Sequence, residues 1–149
     1  SIYVNKRNKM KKRFKNWQAP EIKEGKMTKN NWVVQGVKNF RLGKETDIGA
    51  FVYIQAKGGV VIEDFVQIGG GTKIYSVDTI SQKKGKIIFK KNCKVGANSV
   101  ILPNTIIGEN CLVGAGSVVK YGTNIPSNEI WAGCPAKKIG IIENEKRKY

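Results

Sequence analysis

A repeat of six residues runs through the middle of this 149-residue chain and constrains its fold more than any other feature. An apolar residue returns at every sixth position in two blocks, and one step inside the first block, from Ile54 to Ile62, is longer by two residues. The repeated positions are Leu42, Ile48, Ile54, Ile62, Ile68, Ile74, Phe89, Val95, Ile101, Ile107, Val113, Val119 and Ile125. A period of six matches neither an α-helix nor a long strand. It predicts an all-β solenoid of short strands and tight turns, in which three hexads close each triangular coil.

A second residue type recurs four positions after each apolar residue, and it is small or β-branched. These positions hold Thr46, Val52, Val66, Thr72, Cys93, Ser99, Thr105, Cys111, Ser117 and Thr123. Glycine often comes directly after the apolar position, where it supplies turn conformations that other residues resist. Because Cys93 and Cys111 occupy the small slot, we predict that both are structural residues of the interior and not reactive thiols.

The segments outside the repeat divide the chain into three parts. Residues 31–128 are predicted to form the solenoid, with a lysine-rich loop protruding at 80–88. Residues 1–30 are basic and poorly periodic, and they are predicted to form an N-terminal arm. Residues 129–149 are predicted to form a C-terminal cap and tail that include a short helix.

Composition excludes several classes of active site. The chain has no histidine, which removes zinc sites built from histidine, Ser-His-Asp and Cys-His centres, and a histidine general base. An odd number of scattered cysteines, without a signal peptide, favours a reducing compartment, so we expect a cytoplasmic protein. No apolar run approaches the roughly 18 residues of a membrane span, so no transmembrane segment is expected.

Positive charge is the other strong compositional feature, with a formal net charge of +16. It is concentrated in residues 1–30, 83–94 and 137–148. Such charge suits a solvated surface, or it attracts a polyanion such as nucleic acid, an acidic membrane or a phosphate-rich small molecule. Aromatic residues interrupt the basic arm, among them Phe14 and Trp17, but no recognised nucleic-acid motif accompanies them, so nucleic acid is not the favoured partner.

The second block and the sequence after it resemble a known family. V-G-A-N-S-V-I-L-P-N-T-I-I-G-E-N-C-L-V-G-A-G-S-V-V at 95–119 and I-P-S-N-E-I-W-A-G-C-P-A-K-K-I at 125–139 are similar to the hexapeptide-repeat acyltransferases. The branch that they resemble contains the maltose, galactoside and surface-sugar acetyltransferases. The resemblance covers roughly residues 40–140. It implies a left-handed parallel β-helix, a homotrimer, and acetyl-CoA bound between neighbouring subunits, with no metal.

The resemblance also implies where the coenzyme lies. Ala97 and Ala115 match positions whose backbone meets the pantetheine arm, and small side chains allow that close approach. Lys120 matches the region near the nucleotide end. Lys137 matches a basic residue near the phosphates, and Lys138 is a second candidate for the same role. Gly133, in A-G-C-P, completes the predicted cofactor-binding set.

One expected residue is missing. Better-known members of this family carry a histidine as general base soon after an aliphatic–aromatic pair. Here that pair is Ile74 and Tyr75, and Asp78 or Thr79 stands where the histidine is expected. An aspartate is a weak base at its ordinary pKa unless burial raises it.

Three accounts of this vacancy stay open. Asp78, with Tyr75 or Ser76, acts as the base in a desolvated cleft. Alternatively the acceptor is an amine, for which orientation beside the thioester supplies most of the rate. In the third account the protein is not catalytic. Tyr53 and Gln55 are candidate contacts for the acceptor.

The leading hypothesis is an acetyl-CoA-dependent acetyltransferase that acts on a sugar, an amino sugar or a nucleotide-linked sugar. Backbone N–H groups are expected to hold the oxyanion of the tetrahedral intermediate. The alternatives are a non-catalytic β-helix that serves as a scaffold or subunit, and a module that binds polyanions through its basic arm.

Overall fold

The structure is a computed structural model, and it describes residues 12–143. Within these residues the chain winds through five triangular coils, each made of three short strands. The first eleven residues of the predicted arm and the last six of the predicted tail, 144–149, lie outside the described residues. The predicted all-β solenoid is confirmed.

The strands are short, and most contain two or three residues. The first coil holds β1 Val33–Gln35, a 3-10 turn at Val37–Asn39, β2 Phe40–Leu42 and β3 Asp47–Ile48. The second and third coils hold β4 Tyr53–Gln55, β5 Val60–Ile62, β6 Gln67–Ile68, β7 Lys73–Tyr75, the hairpin strands β8 Val77–Asp78 and β9 Lys83–Lys84, β10 Ile87–Phe89 and β11 Lys94–Val95. The last coils hold β12 Val100–Ile101, β13 Thr105–Ile107, β14 Leu112–Val113, β15 Val118–Val119, β16 Asn124–Ile125, β17 Glu129–Gly133 and β18 Ala136–Ile141.

Equivalent strands of successive coils pair in parallel and form three sheets. Sheet A contains β1, β4, β7, β12 and β15, and sheet B contains β2, β5, β10, β13 and β16. Sheet C contains β3, β6, β11, β14 and β17, with β18 added at its edge. The stacked parallel sheets have the architecture of a left-handed β-helix. We call the turns between sheets the A–B, B–C and C–A corners.

The repeated apolar residue lies inside the coil, as the six-residue period predicts. In sheet A, Ile54 pairs with Ile74, Ile74 with Ile101, and Ile101 with Val119, and all four side chains are fully buried. Identical slots therefore stack along the axis and form one continuous apolar core. Each fully buried aliphatic side chain of this kind contributes about 1.5–3 kcal/mol relative to its exposed state.

The small slot is also buried, and its hydroxyl groups are satisfied within the same turn. Ser99 donates to the carbonyl of Gly96 at 2.8 Å, and Ser117 donates to the carbonyl of Gly114 at 2.6 Å. Because the partner is only three residues away, a hydroxyl can be buried here without an unmet hydrogen bond. Cys93 and Cys111 fill equivalent buried positions, which confirms their predicted structural role.

A left-handed turn residue precedes the small slot at every sixth position of the second block. These residues all have positive φ angles, and they are Asn92, Asn98, Asn104, Asn110, Gly116, Gly122 and Asn128. Glycine and asparagine are the residues that adopt this region most readily. Three of the asparagines also form a ladder: the Asn92 amide donates to Asn110 at 2.8 Å, and the Asn110 amide donates to Asn128 at 3.3 Å.

The hairpin of β8 and β9 interrupts the third coil at the A–B corner. Its two strands pair antiparallel, Val77 with Lys84 and Asp78 with Lys83. The Lys83 ammonium lies 4.4 Å from the ring centroid of Tyr121 in the fifth coil, a cation–π contact. The hairpin thus extends along the corner toward the later coils.

The predicted short C-terminal helix is wrong. Instead, β17 continues sheet C in parallel with β14, and the chain then turns near Gly133 and returns antiparallel as β18. Ile130 is buried as a strand residue of sheet C. A helix after Gly133 would have left the outer N–H and C=O groups of β17 unpaired, whereas β18 covers that sheet edge.

The described part of the arm closes the other end of the solenoid. Thr28 of the arm accepts a hydrogen bond from the backbone N–H of Trp32 at 3.3 Å, and the Trp32 side chain is buried in the first coil with only 2 % exposed. The Glu24 carboxylate accepts backbone hydrogen bonds from Gly36 and Val37, each at 3.0 Å. These bonds, above all the one from Val37, hold the pKa of Glu24 below its ordinary value. Capping of this kind is what the terminal coil of a solenoid requires.

The asparagine ladder generates a stability prediction. Asn110→Ala removes both ladder bonds and replaces asparagine, which tolerates φ 59°, by a residue that adopts this region less readily, so we expect the free energy of unfolding to fall by about 2 kcal/mol. Asn110→Gly also removes the ladder bonds but tolerates the positive φ, so about 1 kcal/mol of that loss is restored. Denaturant unfolding of the two variants measures the difference, and equal stabilities would contradict the conformational part of this account.

The cysteines generate a reactivity prediction. Burial raises the pKa of the Cys93 and Cys111 thiols, and the Cys111 thiol donates to the carbonyl of Pro126 at 2.8 Å. Cys134 is exposed. Titration of the native protein with a thiol reagent should therefore modify Cys134 alone, and unfolding in denaturant should release the other two. Fast modification of three thiols in the native protein would contradict the buried packing.

Candidate functional site

The C–A corner presents a line of small residues, one from each coil. Their order along the axis is Ala50, Gly70, Ala97, Ala115 and Gly133. Backbone bonds of 2.9–3.0 Å link successive coils here, from Gly71 to Ala50, from Asn98 to Gly70 and from Gly116 to Ala97. Ala50, Ala97 and Ala115 are exposed. The corner is therefore a narrow surface track of methyl groups and backbone. Beside its first two coils the Lys73 ammonium donates to the carbonyls of Phe51 and Gly71, and Phe51 is exposed next to Ala50.

Glycine beside this track permits the close stacking of the coils. A Cβ on Gly69 would lie 2.4 Å from the backbone nitrogen of Ala97, and one on Gly96 would lie 2.3 Å from that of Ala115. Neither approach is possible for a residue with a side chain. The G-A pairs quoted in the sequence analysis are thus required by packing, and the exposed alanine backbone is a consequence of that packing.

The last coil places positive charge at the end of the track. Gly133 donates its backbone N–H to the Ser117 hydroxyl at 3.2 Å, and Lys137 pairs in register with Ala132. The Lys137 side chain is exposed. The structure thus brings together Ala97, Ala115, Gly133 and Lys137, four of the six predicted cofactor contacts.

Lys138 and Lys120 stand apart from this group. Lys138 forms an ion pair with Glu129 at 3.0 Å. The hydrogen bond from Lys138 is the main reason that the pKa of Glu129 is lowered. Lys120 is exposed at the A–B corner, separated from Ala115 by strand β15. In one chain, therefore, Lys120 does not line the same track as the alanines.

The predicted acceptor contacts lie on the outer face of sheet A. The rings of Tyr53 and Tyr75 are 5.6 Å apart between centroids, and the Tyr53 hydroxyl donates to Gln35 at 2.9 Å. Burial raises the pKa of Tyr53, and the neighbouring Tyr75 adds to this effect. Gln55 is the next outward residue on the same strand, and its side-chain oxygen accepts from the backbone of Lys57 at 2.8 Å.

Asp78 begins the turn of the hairpin. Its carboxylate accepts from the Ser81 hydroxyl at 2.6 Å and from the backbone of Ile80 at 3.0 Å. The bond from Ser81 is the largest cause of a lowered pKa at Asp78. This direction is opposite to the one that a general base at neutral pH requires. Thr79 beside it is exposed.

Ser76 is committed to the structure of the A–B corner. It is fully buried, donates to the carbonyl of Gln55 at 2.6 Å, and accepts from the backbone of Gly58 at 2.9 Å. A Cβ on Gly58 would lie 2.5 Å from the Ser76 carbonyl oxygen, so glycine is needed where the longer hexad step is absorbed.

A groove that the sequence analysis did not predict lies under the N-terminal arm. It has a volume of about 660 Å³ and is lined by Phe14, Trp17 and Pro20 from the arm and by Gly49 and Ala50 from the first C–A corner. The two aromatic residues were visible in the sequence. Their placement was not, because the arm has no period that relates it to the coils.

Two further observations on the described residues concern metal sites and membrane-spanning helices. Among residues 12–143, no group of three or more His, Cys, Asp or Glu side chains is placed to hold a metal ion. The same part of the chain contains no helix that is long and apolar enough to span a membrane.

Comparison with known proteins identifies relatives of the repeat. Residues 87–120 match the family model described as "Bacterial transferase hexapeptide (six repeats)". A solved structure of a variant of AntD, an N-acyltransferase from Bacillus cereus, in complex with dTDP-4-amino-4,6-dideoxyglucose and coenzyme A, is 31 % identical. That match covers 76 % of this chain and 71 % of the other, with a TM-score of 0.53.

Two other matches extend the comparison. A hexapeptide-repeat acetyltransferase from Vibrio cholerae, complexed with acetyl coenzyme A, is 24 % identical with a TM-score of 0.69, covering 75 % of this chain and 65 % of that one. Delta-poly-L-ornithine synthetase from Acinetobacter baumannii is 31 % identical over 109 residues, which is 72 % of this chain. The chain spans only 8 % of the length of that synthetase.

Proposed function

Because the chain belongs to the bacterial hexapeptide-repeat transferases, we propose that it transfers an acyl group from a coenzyme A thioester to the amino group of a nucleotide-linked sugar. The observation that carries the proposal is the exposed small-residue track of the C–A corner, which ends beside Lys137. Exposed backbone and methyl groups suit the slim pantetheine arm, and the Lys137 ammonium suits the phosphates. Acetyl-CoA is the simplest donor of this class.

The reaction needs no metal and no histidine. The acceptor nitrogen, after its ammonium form has lost a proton, attacks the thioester carbonyl and forms a C–N bond. The C–S bond then breaks, and coenzyme A leaves as a thiol after the thiolate takes up the proton that the nitrogen releases. Orientation of the two reactants supplies much of the rate, and backbone N–H groups at the corner stabilise the oxyanion.

An amine acceptor is supported by the environment of Asp78 and by the comparisons. Asp78 accepts two hydrogen bonds and has a lowered pKa, so it is a weak base. AntD is an N-acyltransferase whose complex holds an amino sugar linked to dTDP. The synthetase from Acinetobacter is named for a polymer of an amino acid. Each of these two relatives is 31 % identical to this chain over the matched region. Both support an amide as the product.

A nucleotide-linked acceptor is supported by charge at the A–B corner. Lys83 and Lys84 lie on the hairpin, and Lys120 lies two coils further on. All three ammonium groups are exposed, and Asp78 is the acidic side chain nearest in register to Lys83. A diphosphate would meet complementary charge here, close to the Tyr53–Tyr75 pair on sheet A.

We further propose that the protein acts as a cytoplasmic homotrimer. The coenzyme track lies at the C–A corner, before each strand of sheet A, whereas Lys83, Lys84 and Lys120 lie at the A–B corner, after these strands, in one chain. A neighbouring copy that places its A–B corner against the C–A corner of the first would unite them. Lys120 would then meet the coenzyme of a neighbouring subunit rather than its own.

Turnover assays test the proposed function. The acceptors are nucleotide-linked amino sugars, with the corresponding hydroxy sugars as matched controls, and free thiol is measured with acetyl-CoA as donor. We expect thiol release with the amino sugars and little with their hydroxy counterparts. Absence of thiol release with every acceptor, together with no coenzyme A binding in calorimetry, would favour the non-catalytic scaffold.

The amine mechanism generates a pH prediction. The rate at subsaturating acceptor should rise with pH until the acceptor ammonium is deprotonated. Asp78 adds no rise near neutrality because its pKa is lowered and its carboxylate is already ionised there. Asp78→Asn should therefore lose far less than the roughly 100-fold that removal of a general base causes.

Ser81→Ala is the matched control for Asp78→Asn. It breaks the same turn contact at 2.6 Å but keeps the carboxylate. If Asp78→Asn loses 100-fold or more in kcat while Ser81→Ala stays near wild type, then Asp78 is the base and the amine account of catalysis is wrong.

The coenzyme site generates a prediction about two neighbouring lysines. Lys137→Ala should weaken coenzyme A binding about tenfold, because a charge-assisted contact to phosphate is lost. Lys138→Ala should have a smaller effect, since that ammonium is engaged by Glu129. Calorimetry with coenzyme A measures both dissociation constants, and a larger loss at Lys138 would reverse the assignment.

A further inference from the structure

The groove under the N-terminal arm is a defined feature of the first coil. Its arm side includes Phe14, Trp17 and Pro20, which are half-buried, and the polar residues Asn16, Gln18, Lys29 and Asn30 line it beside them. The arm is held in place because the Trp17 indole N–H donates to the carbonyl of Thr46 at 2.9 Å. Arg13 adds an ion pair with Asp47 at 2.5 Å. The arm segment that covers the groove is therefore anchored to the first coil, and it carries the aromatic rings of Phe14 and Trp17.

The groove is continuous with the coenzyme track. Ala50 is both a wall of the groove and the first member of the line of small residues in the C–A corner. The backbone carbonyl of Ala50 accepts from Gly71 in the next coil at 2.9 Å. A ligand that follows the track away from Lys137 therefore arrives at the groove.

The length of the pantetheine arm determines which part of the donor reaches the groove. Coils are spaced about 4.8 Å apart, so Gly70 lies about 14 Å and Ala50 about 19 Å beyond Gly133. The pantetheine arm has roughly 13 bonds between phosphorus and sulfur, and at about 1.2 Å per bond it spans about 16 Å when extended. A donor with its phosphates near Lys137 thus brings its thioester close to Gly70.

We propose that the groove under the arm binds the acyl group of the donor, and that this acyl group is longer than acetyl. The inference rests on the proposed function. Acetyl adds only one carbon past the carbonyl and ends before Ala50, whereas an acyl group of four or more carbons enters the groove. Its methylenes then pack against Phe14 and Trp17, which contribute apolar surface that an acetyl group leaves unused.

The acceptor sugar does not compete for this space. The nitrogen that attacks the thioester must reach the carbonyl carbon from outside the line of the donor chain. The candidate acceptor contacts, Tyr53 and Gln55, lie on the outer face of sheet A and do not line the groove. The groove lies further along the line of the donor chain, beyond the thioester carbonyl. The part of the donor that reaches this position is the acyl group.

Calorimetry with the full chain tests the proposal without an identified acceptor. The probes are coenzyme A, acetyl-CoA, butyryl-CoA and hexanoyl-CoA. We expect coenzyme A and acetyl-CoA to bind alike. Each methylene buried in the groove should tighten binding about fourfold, so butyryl-CoA should bind about 15-fold more tightly than acetyl-CoA.

Variants assign that gain to the groove. Trp17→Ala should abolish the preference for longer acyl groups and leave coenzyme A affinity unchanged, whereas Trp17→Phe should keep most of the preference. Gly70→Ala should also reduce it, because the added Cβ would lie 3.0 Å from the Ala50 carbonyl, where the acyl chain passes. Alanine stands at this position in neighbouring coils, so the fold accommodates it. Glu109→Ala, at an exposed position of the B–C corner, is the control and should change nothing.

The outcomes separate this proposal from the proposed function. Equal affinities for all four probes, or a chain-length preference that survives both Trp17→Ala and Gly70→Ala, would overturn the acyl groove and leave the coenzyme site intact. No binding of coenzyme A itself would overturn the proposed function. Tight binding of the longer thioesters that is lost in Trp17→Ala and Gly70→Ala but not in Glu109→Ala supports the groove.

Discussion

One backbone constraint underlies the regular corners of the solenoid: a residue in the left-handed region turns the chain just before the small slot. Asparagine and glycine adopt this region at little cost, and they recur with a period of six from Asn92 to Asn128. Because these regular corners turn in the same way, equivalent strands come into register and the apolar slots stack. In the first two coils Glu45, Phe51 and Phe65 hold this conformation instead, at about 1–2 kcal/mol each. The stacked apolar core, the asparagine ladder and the rows of equivalent residues along the corners all follow from this repeated turn.

Stacking also determines what kind of site the fold can offer. A periodic solenoid has no deep cleft of its own, but it repeats each surface position at intervals of about 4.8 Å along the axis. The C–A corner repeats small residues, so it forms a straight track suited to an extended ligand. Specific features arise where the repeat is broken, at the hairpin of β8 and β9, at the C-terminal hairpin and at the arm. The proposed phosphate contact Lys137, the hairpin lysines Lys83 and Lys84, and the groove under the arm lie at these breaks.

The periodic part of this structure could be predicted from the sequence, and the aperiodic part could not. The slots of Ile54 and Ser99 follow from spacing alone, because each coil repeats the environment of the one before. The turn ladder of Asn92, Asn110 and Asn128 is also encoded in the sequence, because these asparagines recur at multiples of six residues. The C-terminal helix was wrong because pairing with the edge of sheet C outweighs local preference. The groove beneath Trp17 depends on a contact with Thr46, 29 residues away, which no local pattern encodes.

The absence of histidine and the geometry of Asp78 lead to one chemical argument. An alcohol acceptor must lose a proton as it attacks, so it gains most from a base whose pKa lies near neutrality. The hairpin instead lowers the pKa of Asp78, because hydrogen bonds from Ser81 and Ile80 stabilise its ionised carboxylate. An amine can shed its ammonium proton to solvent before it attacks, and it then needs position more than a base. A solenoid that fixes a thioester along a rigid corner supplies position. The missing base is therefore consistent with an acyltransferase that makes an amide.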